Sequence, residues 1–310
     1  MGPRLSRRQV LLGAAGTLGA AGAVGIGGAL LERSETPAPP PQRVPRPVTA
    51  DGRVRDAVAQ TEWVSSAARG RSVRLVTVLP AGAKRSDLPV CDGLRGNAQW
   101  WSDPGTRRLL GAAWARGVPP FAVVALDCGD NYWHPVRPTD DPLRMLTDEL
   151  PGWLRERGLG GAEGLPAEVA GVSMGGTGAM IYARARLRAG RPLRAMAALS
   201  PGLFTDWRIA SRRPFAGEPD WIANDPLRFY PEIASIPAGV WCGDNDPFVN
   251  ATRRYMDLAR PEVASVTPGR HDGAYYATAL PRVFDFLGDQ LRGPNVPTLP
   301  DLRSPFPGVN

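Results

Sequence analysis

Along residues 60–290, short apolar runs alternate with longer segments whose apolar residues recur at helical spacing. Glu62–Ser65 and Ser72–Leu79, joined across Arg69-Gly70, predict an antiparallel strand pair. Leu88–Gly93 predicts a third strand. Phe121-Ala-Val-Val-Ala-Leu126 is apolar throughout, as a parallel strand covered on both faces must be. Glu168–Val172, Ala195–Leu199, Gly239–Cys242 and Glu262–Val266 predict the later strands. Between them, Asp103-Pro104 starts a helix as N-cap and first-turn proline, and Gly117 stops it. Asp141-Pro142 opens another, with Leu143, Leu146, Leu150 and Trp153 on one face and Gly158 at its end. A third helix follows Ser173. This alternation predicts an α/β fold, one doubly wound, mostly parallel sheet with helices on both faces.

Two kinds of segment break the rhythm. Residues 201–236 carry Phe204, Trp207, Phe215, Trp221, Phe229 and Tyr230, and read either as a lid or acyl pocket over the strand ends or as the packing of a long excursion. The two ends of the chain do not belong to the domain. Residues 1–31 begin Met-Gly-Pro-Arg-Leu-Ser6-Arg7-Arg8-Gln9-Val10-Leu11-Leu12 and run Gly/Ala-rich to Leu31. A basic start before an apolar stretch is an export signal, and Ser-Arg-Arg-x-Val-Leu-Leu resembles the twin-arginine type. No small-x-small cleavage site or lipid-accepting cysteine follows, so a cleaved signal and an uncleaved membrane anchor both stay open. Residues 32–50 form a proline-rich linker, an extended spacer ahead of a domain over 51–292; residues 293–310 form a proline-rich tail.

Composition narrows the chemistry. The net charge of +7 rests on arginines, Lys84 being the only lysine. They are scattered without a basic block, which argues for a solvated surface over a nucleic-acid site. The three cysteines, Cys91, Cys128 and Cys242, lie far apart, and the only histidines are His134 and His271. No metal site and no cofactor is expected.

Gly171-Val172-Ser173-Met174-Gly175-Gly176 joins a predicted strand to a predicted helix, the context of a nucleophile elbow, where a serine stands on a tight turn. A serine hydroxyl needs a base to take its proton and a carboxylate to hold that base's tautomer. In chain order these follow as acid and then histidine. His271 is the only histidine downstream of Ser173, so it is the expected base. Trp241-Cys242-Gly243-Asp244-Asn245-Asp246 offers two acids; Asp246 is preferred because it sits further past the strand end, and Asp244 stays open. The oxyanion needs two backbone N–H donors, expected from Met174 and from Leu94 in the loop after the third strand. Trp100 and Trp101 wall the pocket or are plain core.

These residues together resemble the esterase D / antigen 85 branch of the α/β-hydrolase superfamily, secreted esterases and mycolyltransferases, over about residues 60–290. Asp92-Gly93-Leu94-Arg95 is similar to the mycolyltransferase oxyanion loop, whereas Gly-x-Ser-Met-Gly-Gly and an aspartate as acid are closer to the esterases. Asp127-Cys-Gly-Asp-Asn131-Tyr132-Trp133-His134-Pro135 resembles a loop near the active site of related hydrolases. The resemblance implies an exported serine esterase acting on small-molecule or lipid esters, with acyl transfer to a sugar or lipid hydroxyl as the alternative. A non-catalytic envelope-binding protein is a third reading. The resemblance implies substrate contacts by Asp92, Arg95 and His134, with an Asp92–Arg95 ion pair as the other reading, and Trp101 is a further candidate contact as a wall of the pocket. The fold's usual strand order sets Cys91 near Cys128, as a disulfide or as buried thiols.

Overall fold

The computed structural model of the protein describes residues 57–292, and the export segment, the proline-rich linker and the tail lie outside them. The strands are β1 (Ala57–Ser66), β2 (Arg71–Pro80), β3 (Val90–Leu94), β4 (Ala122–Leu126), β5 (Glu168–Val172), β6 (Ala195–Leu199), β7 (Ala238–Gly243) and β8 (Val263–Thr267). They form one sheet in the order β1-β2-β4-β3-β5-β6-β7-β8. The β1–β2 and β2–β4 pairs are antiparallel and all the others parallel. The expected doubly wound, mostly parallel sheet is therefore present, with an antiparallel hairpin at one edge.

The helical segments are α1 (Pro104–Ala115), α2 (Pro142–Arg144), α3 (Leu150–Glu156), α4 (Met174–Arg188), α5 (Trp207–Ala210), α6 (Glu218–Asn224), α7 (Pro226–Phe229), α8 (Val249–Ala259) and α9 (Gly273–Arg292). Asp103 caps α1 as expected, its carboxylate accepting from the N–H groups of Gly105 and Thr106 at 2.7 and 3.2 Å. The helix predicted from Asp141-Pro142 is not uniform. A π-turn over Met145–Glu149 separates α2 from α3, with the Leu150 N–H reaching back to the Met145 carbonyl. Pro151 explains it, because it lacks the N–H that an α-helical turn would use there. The third strand also starts later than expected, at Val90, after a 3₁₀ turn at Arg85–Asp87 and Pro89.

Side chains alternate across each strand, so the sheet separates two cores. Val90, Leu94, Val124, Leu126 and Val169 pack with Met180 and Tyr182 of α4. Cys91, Val123, Ala125, Ala170 and Val172 pack on the other face with Trp114 of α1 and Phe284 of α9. Each fully buried aliphatic side chain contributes roughly 1.5–3 kcal/mol. The 201–236 excursion extends the α4-side core: Phe204, Trp221 and Phe229 are buried in it, and Trp207, Phe215 and Tyr230 pack against it.

The same alternation corrects the disulfide expectation. All three cysteines are free and buried. Cys91 belongs to the core under α1 and α9 and Cys128 to the core under α4, so the sheet lies between them. Cys128 instead donates its S–H to Asn131 Oδ1 at 2.8 Å.

Candidate active site

In a parallel sheet the loops at the carboxyl ends of the strands converge, and these loops carry the candidate residues. Ser173 follows β5 directly and begins α4. Its backbone sits at φ 59° and ψ −122°, a conformation that costs a non-glycine residue about 1–3 kcal/mol. The neighbours impose it. A Cβ on Gly171 would lie 1.8 Å from the Gly175 carbonyl oxygen, and one on Gly175 would lie 1.9 Å from the Leu94 carbonyl oxygen. The turn is also hydrogen-bonded on both sides. Ser173 N–H donates to the Leu199 carbonyl at 2.9 Å, and its own carbonyl accepts from Gly176 and Gly202 at 2.9 and 3.0 Å.

Ser173 Oγ lies 2.8 Å from His271 Nε2, and His271 Nδ1 lies 2.7 Å from Asp246 Oδ2. These three residues come from the loops after β5, β7 and β8. The choice between the two acids is thereby decided by position. Asp246 reaches the imidazole and is 2 % exposed. Asp244 accepts from Gly269 N–H at 3.0 Å and so braces the loop that carries His271. Asn245 N–H adds a second tie, to the Gly269 carbonyl at 2.9 Å.

Burial by itself would raise the Asp246 carboxyl. The hydrogen bonds from His271 and Phe248 N–H outweigh it and hold the group below its ordinary value. Ser200 Oγ is buried and outside strict hydrogen-bond geometry, yet near enough to favour the same charged form. A charged Asp246 at Nδ1 leaves Nε2 as the imidazole nitrogen free to accept the serine proton.

Met174 opens α4, so its N–H is among the first four that have no acceptor within the helix. Leu94 closes β3 with its carbonyl against Gly175. Both expected oxyanion residues thus flank the elbow. Around the imidazole, Phe248 and Tyr276 set their rings at 5.1 and 5.7 Å. The half-buried Arg95 guanidinium lies 4.6 Å over Trp100 and 5.6 Å over Tyr276, and burial lowers its affinity for the proton.

Three of the expected substrate contacts are corrected. Asp92 lies on the β3 face shared by Val90 and Leu94, wholly buried under α4, and makes no ion pair with Arg95. Burial pushes its carboxyl up to about 8, partly offset by Arg186. Trp101 is 1 % exposed and packs flat on Gly93 in the core under α1; its partly buried neighbour Trp100 meets Arg95 and Tyr276. His134 is fully buried and bonds Asp220 of the 201–236 excursion at 3.2 Å. Arg95 alone of the four lies toward the His271 imidazole, over the Tyr276 ring that meets it.

The sequence did not single out Tyr132, Ser200, Phe248 or Tyr276. Phe248 could have been suspected from its place two residues after Asp246, and Ser200 from the Ser-Pro-Gly turn that ends β6. Tyr276 carries no local signal, since it lies one turn into a helix whose register only the fold reveals.

Residues 66–285 match the model of the Esterase family. No curated protein matches the chain. Among solved structures, a ferulic acid esterase superposes with a TM-score of 0.61 at 19 % identity, covering 76 % of this chain and 99 % of that one. An S-formylglutathione hydrolase from Agrobacterium tumefaciens gives 0.58 at 15 % identity, covering 76 % and 96 %. The fluorophosphonate-binding serine hydrolase F of Staphylococcus aureus gives 0.57 at 16 %, covering 75 % and 99 %. At these identities the likeness shows the fold, which is that of the α/β hydrolases.

Two outcomes are expected from this geometry. Asp246→Asn should lower kcat on an ester substrate by roughly 10,000-fold. Asp244→Asn should lower it far less, and equal losses would reverse the assignment. The second concerns stability. Asp92 ionises at an ordinary 3.8 when unfolded and at about 8 when folded, so its favourable contribution is complete below the first value. It is lost as pH rises through the second. Asp92→Asn should therefore raise Tm more at pH 8 than at pH 5, measured by thermal denaturation. A pH-independent offset would contradict a buried neutral carboxyl.

Proposed function

Because the chain belongs to the Esterase family, we propose that it cleaves carboxylic esters through an acyl-enzyme on Ser173. The observation that carries this reading is the Ser173–His271–Asp246 relay at 2.8 and 2.7 Å on a strained turn. His271 Nε2 takes the hydroxyl proton as Ser173 Oγ attacks the ester carbonyl carbon. The Met174 and Leu94 N–H groups receive the oxyanion, placed as donors before charge develops. Collapse breaks the bond to the alcohol oxygen, which leaves with the proton from His271. Water then loses a proton to His271, attacks the acyl carbon and frees the acid, restoring Ser173. Asp246 keeps the imidazole oriented and offsets its positive charge at each step.

Water is the favoured acyl acceptor. The argument for a sugar or lipid hydroxyl rests on the Asp-Gly-Leu-Arg loop together with export to the cell envelope, and Asp92 of that loop is wholly buried near Arg186 of α4. Small-molecule or lipid esters are the proposed substrates, with no cofactor in the reaction. Export by the twin-arginine route is part of the same proposal, supported by Ser6-Arg7-Arg8-Gln9-Val10-Leu11-Leu12 and the spacer after it.

Ser173→Ala should abolish both ester hydrolysis and labelling by a fluorophosphonate probe; labelling that persists in the variant would remove Ser173 from the mechanism. The wild-type enzyme, given an acyl ester together with trehalose, should release free acid, and acylated trehalose as the main product would establish transfer instead. Residues 1–50 fused to a reporter that fluoresces only when folded before export should carry it across a bacterial inner membrane. Replacing Arg7 and Arg8 by lysines should stop it; export that survives the change would exclude the twin-arginine route.

A further inference from the structure

The loop after β4 holds two consecutive residues in the left-handed region, Tyr132 at φ 51° and Trp133 at φ 62°. Non-glycine residues stay there only when their surroundings leave no alternative. Trp133 fills the space over Gly178 of α4, where a Cβ would approach its ring to 2.3 Å. Tyr132 N–H points at Met174 Sδ at 3.2 Å, which places the tyrosine beside the residue that follows the nucleophile. His134 comes next and is wholly buried. Its Nδ1 has no partner, and its Nε2 meets Asp220 Oδ2 at 3.2 Å.

Asp220 is the knot of the 201–236 excursion. Its carboxylate also accepts from Ala216 N–H at 2.8 Å and from the Asn224 side chain at 3.0 Å. With both oxygens accepting, the His134 contact is a donation from Nε2–H. Farther along, the excursion is held to α4 by Arg184 and Glu232 at 2.7 Å. Among the described residues, the stretch from 205 to 220 has one hydrogen bond to the body of the protein, and it is His134–Asp220. On the other side of His134, Phe215 stacks on the imidazole with ring centres 4.9 Å apart and planes 22° apart.

From there tilted and edge-on ring contacts continue to His271, the partner of Ser173. Phe215 meets Tyr132 at 5.8 Å and Phe204 at 6.4 Å; Phe204 meets Phe248 at 5.7 Å, and Phe248 meets His271 at 5.1 Å. Phe215 and Phe248 are the members of this wall that remain partly open to solvent. We propose that His134 and Asp220 form a latch that seats Phe215 in an aromatic wall beside Ser173, and that this wall selects esters bearing a large, flat or extended apolar group. The proposal rests on the ester-hydrolase reading above. His134 is thereby a positioning residue that never touches substrate, and Phe215 is the specificity-determining contact.

The latch is tested by separating its two parts. His134→Gln keeps a donor near the Nε2 position and loses the ring; His134→Phe keeps a stacking ring and loses the donor. Kinetics are read on two matched pairs, 4-nitrophenyl octanoate against acetate, and 1-naphthyl acetate against ethyl acetate, so that either side of the ester is covered. His134→Phe should lower kcat/KM for the bulky member of at least one pair about tenfold more than for the small one, through KM, and His134→Gln should restore most of that ratio. Phe215→Ala should reproduce the loss. If His134→Phe does not fold, Asp220→Ala breaks the same bond from the solvent-facing side and should give the same ratio. Equal losses on both members of each pair, or no change in either, would overturn the latch. Fluorophosphonate labelling of the wild-type enzyme is run alongside: an enzyme that labels and turns over while the ratios stay flat refutes the latch alone, and one that neither labels nor turns over refutes the ester-hydrolase reading with it.

Discussion

Ser173 can occupy its turn because three backbones meet beneath it with no side chain between them. Gly171 faces the Gly175 carbonyl, and Gly175 faces the end of β3 at Leu94. Neither position has room for a methyl group. The close approach does two things at once. It forces the serine backbone to positive φ, lifting Oγ above the sheet, and it brings the β3 end within reach of the same point. The candidate nucleophile and the residues expected to hold the oxyanion are therefore positioned by one packing constraint.

The rest of the site is assembled onto that point by loops that brace each other. The Leu199 carbonyl at the end of β6 accepts from Ser173 N–H, Gly202 N–H in the turn that follows donates to the Ser173 carbonyl, and the loop after β7 is tied to the histidine loop by Asp244 and Asn245. His271 is thus held from behind by Asp246 and from the sides by Phe248 and Tyr276. An imidazole so confined does not need to search for the serine, so the orientation entropy of proton transfer is met in the fold before substrate arrives.

The buried polar residues tell how charge is managed away from the reacting atoms. Asp92 and His134 both stand in motifs that resemble substrate-facing loops, and both turn inward. Asp92 is kept neutral by burial, whereas His134 spends its one polar contact on tying down the aromatic excursion. Arg95 lies over the faces of Trp100 and Tyr276, with Asp103 near enough to favour its charged form, and brings a positive charge to this side of the site.

The sequence by itself determined the class of fold and the order of its elements, and it singled out Ser173 and His271 as candidate nucleophile and base, which the fold brings to 2.8 Å from each other. Apolar runs of strand length, capped helices and a glycine-flanked serine are local signals, and a chain with one histidine past Ser173 leaves no choice of base. It could not separate Asp244 from Asp246, because two residues in a loop differ in which way they face and not in composition. It also could not say that Asp92 and Trp101 face the core, that Cys91 and Cys128 lie on opposite sides of the sheet, or that His134 reaches Asp220 across 86 positions of chain. Those depend on the strand register, on side chains alternating across the sheet and on the path of a long excursion. Each is a long-range fact that only the packed tertiary structure decides.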